Sequence, residues 1–65
     1  MYEFRINFVN RTGWGDHYTV WWWSGADYHT ILDKIYYGTR TEILSMIKNE
    51  IRSRFHIKKA KWIVR

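Results

Sequence analysis

Tyr28-His29-Thr30-Ile31-Leu32-Asp33-Lys34-Ile35-Tyr36 carries apolar or aromatic side chains at Tyr28, Ile31, Leu32, Ile35 and Tyr36. These positions follow the i, i+3, i+4, i+7, i+8 spacing of one face of an α-helix. Asp27 stands before them where an N-cap belongs, and Gly38 follows where a helix stops. The stretch therefore predicts a short amphipathic helix, and the layering of the whole chain turns on it.

Downstream, Thr39-Arg40-Thr41-Glu42 has the capping-box pattern and opens a second, longer helix. Ile43, Leu44, Ile47, Ile51 and Phe55 line one face of it, and His56 and Ile57 end it. Upstream, Tyr2, Phe4, Ile6 and Phe8 alternate with Glu3, Arg5 and Asn7, the period of a half-buried strand. Residues 10–16, with Gly13, Gly15, Asn10 and Asp16, suggest a long hairpin loop. A second strand is expected from His17 to Trp23, stopped by Ser24-Gly25. A last strand is expected from Lys59 to Arg65, with Ala60, Trp62 and Val64 on one face.

The order strand, strand, helix, helix, strand implies a single α+β domain over residues 1–65. Its small three-stranded antiparallel sheet would carry the helices on one face. With the first strand in the middle, the order 2-1-3 lets the chain cross over the helix-covered side. The alternative is a mixed sheet with the last strand at the other edge.

Three consecutive indoles, Trp21, Trp22 and Trp23, cannot all lie on one face of a strand. Neighbouring side chains point to opposite faces, so at least one of the three must leave the core. If Tyr2, Phe4, Ile6, Phe8, Tyr18, Val20, Trp22, Ala60, Trp62 and Val64 face the helices, the opposite face shows a different set. It carries Arg5, Asn7, Thr19, Trp21, Trp23, Lys59, Lys61, Ile63 and Arg65. Shifting the second strand by one residue exposes Tyr18, Val20 and Trp22 instead, so some aromatic surface survives either choice. If the two helices cover both faces, Trp21 and Trp23 return to the core.

Charge sharpens the expectation. The net charge is +5, yet residues 1–50 hold five Lys/Arg against six Asp/Glu. Residues 51–65 hold Arg52, Arg54, Lys58, Lys59, Lys61 and Arg65 with no acid. Such asymmetry points to nucleic acid or an acidic protein surface as partner, although a basic segment can also be a solvated surface. Aromatic rings beside cations suit single-stranded nucleic acid, because bases stack on rings while cations follow phosphates. The residues expected to carry binding are Trp14, Trp21, Trp23, Arg5, Arg52, Lys58, Lys59, Lys61 and Arg65. Trp14 stands between two glycines at a hairpin tip, where binding residues gather, unless it folds back onto the sheet edge.

Trp and Arg also mark hot spots of protein interfaces. The second expectation is therefore a protein-binding antagonist or adaptor, docking through its Trp-rich patch or through an edge strand. A homodimer through the same patch is a related arrangement. Compact chains of this element order and length are similar in broad design to small phage or mobile-element proteins that bind and block one host macromolecule.

Candidates for chemistry are thin. There is no Cys, and His17, His29 and His56 lack the spacing of metal ligands, so neither a metal nor a cofactor is expected. No nucleophile motif or Gly-rich phosphate loop occurs. Arg52, Arg54, His56 and Tyr37 are the weak candidates for ribonuclease-like chemistry, and the expectation is a non-enzyme. The alternating N-terminus lacks the apolar run of a signal peptide and no segment reaches membrane-spanning length, which predicts a soluble, cytoplasmic chain with no membrane partner.

Overall fold

A computed structural model describes residues 2–65. Its elements are β1 (Tyr2–Thr12), β2 (Gly15–Trp23), β3 (Tyr28–Tyr36), α1 (Arg40–Phe55) and β4 (Ala60–Val64). They build an α+β fold in which α1 covers one face of a four-stranded sheet of order β3-β2-β1-β4. β1 pairs antiparallel with β2 and β2 with β3, whereas β4 runs parallel to β1. The expected neighbours of β1 are found on either side of it. The expected three-stranded antiparallel sheet is replaced by a mixed sheet, and the expected pair of helices by one.

The difference lies in residues 28–36, which form strand β3 and not a helix. Between Val20 and Trp21 the β2–β3 register slips: Val20 faces Leu32 and Trp21 faces Thr30, leaving Ile31 as the extra residue of a bulge. A bulge reverses the phase of a period-2 pattern. Ile31, Leu32, Ile35 and Tyr36 thus acquire a spacing that imitates 3.6. Asp27, expected as a helix cap, instead sits in the tight β2–β3 connection, where its carbonyl accepts the Ser24 N–H at 3.0 Å.

Residues 10–16 likewise form less loop than expected, since β1 extends to Thr12 and only Gly13 and Trp14 separate it from β2. A second slip, between Phe8 and Asn10, accommodates Val9. Gly15 has φ +132°, and a Cβ there would lie 2.6 Å from the Tyr36 carbonyl oxygen. Only glycine fits this backbone and this approach.

α1 starts as the sequence predicts. Thr39 Oγ1 accepts the Glu42 N–H at 3.2 Å and the Glu42 carboxylate accepts the Thr39 N–H at 2.9 Å, closing the capping box. That backbone hydrogen bond holds the Glu42 carboxyl below its usual pKa. His56 ends the helix in the left-handed conformation, φ 54°. β3 and β1 run in the same direction, so α1 returns the chain across the sheet from the β3 edge to the β1 side, and β4 enters parallel to β1.

The core lies between α1 and one sheet face. Ile43, Ile47 and Ile51, one turn apart, close over Phe4, Ile6, Tyr18, Val20, Leu32 and Tyr36, all buried. Trp62 stacks on Phe4 at 4.9 Å between centroids, and Trp22 packs against Phe55 at 5.9 Å. Tyr2, Phe8 and Val64, expected inside, lie more than a third exposed, because one helix does not reach the ends of the sheet. No helix among the described residues is long and apolar enough to cross a membrane.

Candidate functional site

Among the described residues α1 is the single helix, and the opposite face of the sheet has no second layer. Strand register arranges its side chains in rows. Tyr28, Trp23, Glu3 and Lys61 form one row across β3, β2, β1 and β4; Thr30, Trp21, Arg5 and Ile63 form the next. Asn7, paired with Thr19, begins a third. Trp21 is 38% exposed and Trp23 37%, so both indoles belong to the surface while leaning on neighbours.

The neighbour they share is Tyr28. Its ring lies 6.3 Å from that of Trp21 and 4.8 Å from that of Trp23, and the Arg5 guanidinium stacks 4.4 Å from its centroid. The Tyr28 hydroxyl donates to Glu3 Oε2 at 2.6 Å, and Lys61 Nζ stands 3.7 Å from Glu3 Oε1. The hydrogen bond to Glu3, followed by partial burial, raises the Tyr28 phenol pKa, while Arg5 pulls it down. Sequence reasoning missed Tyr28 because it assigned that residue to a helix. The signal available was its place four residues after the Ser24-Gly25 turn, where a hairpin returns a strand beside Trp23.

Two donors in the middle of this face are unsatisfied. Arg5 Nε and Asn7 Nδ2 are shielded from solvent and have no hydrogen-bond partner among the described residues. A buried donor left without an acceptor costs about 1–3 kcal/mol. At the far end of the face His17 Nε2 contacts Asp33 Oδ1, a partner on β3 and not its sequence neighbour Asp16. Asp16 instead accepts from Arg11 Nε at 3.1 Å.

The remaining predicted residues divide. Lys61 lies on the open face, and the alternation of β4 directs Arg65 to the same side, its backbone N–H bonded to the Ile6 carbonyl at 2.8 Å. Lys58 and Lys59 are exposed in the connection leading into β4. Arg52 lies on the other side of the sheet, its guanidinium 5.6 Å from the Trp62 centroid, with Lys48 Nζ at 6.0 Å. Arg52 therefore does not join the platform, because the helix face that carries it packs over β4. Trp14 is 74% exposed at the β1–β2 turn. It stands seven positions before Trp21 along β2, about 23 Å of extended strand, so it is not part of the indole cluster either.

Arg52, Arg54, His56 and Tyr37 are not assembled into one centre. Tyr37 precedes α1 and His56 caps its end, about 24 Å apart along a helix of this length. Arg54 Nη1 donates to the Ile31 carbonyl at 2.6 Å, binding the helix to the β3 bulge. Compared with protein-family models, with curated proteins and with solved structures, the chain matches none.

Proposed function

We propose that this chain is a non-enzymatic binding module that holds single-stranded nucleic acid on the uncovered face of its sheet. The observation that carries the reading is the row-by-row juxtaposition of Trp21 and Trp23 with Arg5 and Lys61 on a face that no helix covers. Bases would stack on the indoles, each stack worth about 1–3 kcal/mol. Lys61, Lys59, Lys58 and Arg65 would neutralise phosphates along the β4 side, where the positive charge of the chain is concentrated.

Salt dependence tests this. Fluorescence-monitored binding to oligo(dT) should weaken linearly on a log-log plot against salt, with Lys59→Ala reducing the slope by about 0.7, the value of one phosphate contact to a single strand. Absence of binding at low ionic strength refutes the reading.

One observation favours a second reading, a protein-binding antagonist or adaptor. β3 is an edge strand of nine residues without proline, and an edge strand presents unpaired backbone groups for strand addition, although Arg54 already holds the Ile31 carbonyl. Stoichiometric capture of one protein that survives nuclease treatment would favour it over the first.

A further inference from the structure

We infer that Glu3 is the base-reading residue of this face: its carboxylate accepts N–H donors from the edge of a base stacked on Trp23, and so selects guanine. The inference rests on the stacking reading above and adds to it a sequence preference.

Glu3 is a carboxylate set among Trp23, Tyr28, Arg5 and Lys61 at the end of the face where the indoles lie, and there it is out of keeping with simple phosphate binding, since it repels the backbone it would face. Its placement is specific. Glu3 is the direct cross-strand partner of Trp23, on the same face, so a ring lying on that indole brings its edge over the carboxylate. The side chain is also held in place. Tyr28 donates to Oε2 from one side at 2.6 Å and Lys61 approaches Oε1 from the other at 3.7 Å, while the side chain keeps 23% of its surface open. A carboxylate has about four lone-pair positions, so these two partners leave acceptor capacity directed outwards.

The chemistry that fits is a pair of adjacent N–H donors. On an unpaired base the Watson–Crick edge is free to be read. Guanine alone sets two N–H donors side by side there, N1–H and the N2 amino group, matching the two oxygens of one carboxylate. Adenine, cytosine and thymine each place an acceptor next to their donor, and that acceptor would meet Glu3 with like polarity. The row above behaves differently, because Arg5 beside Trp21 presents donors, so only the Trp23 position reads in this sense.

The test uses the full chain and a set of short oligo(dT) strands carrying one central guanine, inosine, adenine or cytosine. A single guanine avoids four-stranded association. Tryptophan quenching should show the guanine strand bound at least five-fold more tightly than oligo(dT), with inosine, which lacks the N2 amino group, losing most of that gain. Glu3→Gln should abolish the preference, so that the guanine strand binds this variant no more tightly than oligo(dT). The base series on the unaltered chain stands whether or not that variant folds. Equal affinity for all strands overturns the inference and leaves the stacking face intact. Failure to bind any strand at low salt overturns both.

Discussion

Tyr28 and Glu3 meet across the width of β2: the phenol of an edge strand donates to the carboxylate of an interior strand at 2.6 Å, passing between Trp21 and Trp23 on the way. The contact binds three strands through side chains alone and sets how far the two indoles stand from water. Tyr28→Ala should therefore shift tryptophan emission to the red and raise its quenching by acrylamide, whereas Tyr28→Phe, which keeps the ring, should leave both near their starting values. Equal spectra for the two variants would mean the ring does not shield the indoles.

The three exposed indoles should divide in a binding experiment. Removing Trp21 or Trp23 by substitution with Ala deletes one stacking surface and should lower oligonucleotide affinity about 5- to 150-fold, the range that one base stack is worth. Trp14→Ala should change it by less than two-fold, since Trp14 stands at the opposite end of the hairpin from Trp23. Anisotropy titrations at fixed salt measure all three, and a large effect at Trp14 would move the contact surface to the hairpin tip.

Gly15→Ala tests the approach of the first hairpin to the end of β3. The new Cβ would meet the Tyr36 carbonyl oxygen at 2.6 Å and Ile35 Cγ2 at 2.9 Å, on a backbone with φ +132°. A strained residue of this kind costs about 1–3 kcal/mol, so Tm should fall by on the order of 10 °C in a domain of this size. Gly13→Ala, whose Cβ meets nothing within 4 Å, is the control and should melt close to the parent.

Alkaline pH offers a fourth check. Burial, with the Glu50 carboxylate second, pushes the Tyr36 phenol up to about 12 from an ordinary 10.0. A raised pKa means the folded state keeps a proton that the unfolded chain releases. The contribution is fully present below pH 10 and is lost as pH rises towards 12. Denaturation midpoints measured from pH 8 to 12 should fall across the upper half of that range, and Tyr36→Phe should fall less.

What was legible in the chain follows from how local each signal is. The strand period of β1 and the Thr39–Glu42 capping box are decided within a few residues, and both appear in the structure, although of the four alternating residues only Phe4 and Ile6 are buried. That at least one of Trp21, Trp22 and Trp23 leaves the core is legible too, because a strand has two faces; that Trp21 and Trp23 are the ones depends on register and on a single helix covering the other face. β3 was not, because the bulge at Ile31 is a property of its pairing with β2 and leaves no mark on a single strand's pattern except a false helical period. Tyr28 was lost with it. The direction of β4 depends on where β3 ends, so one misread element hid the parallel pairing as well.

That parallel pairing sets the order in which the molecule can be put together. Tyr2 lies against Ala60, 58 positions further along the chain, while the β1–β2–β3 meander needs only near neighbours. Distant partners meet late, because a long loop must close before they gain anything. The meander with its indoles can thus form first, and β4, which brings Lys61 up beside Glu3, joins last. On this order the charged border of the aromatic face arrives last, and amide exchange should find β4 less protected than the meander.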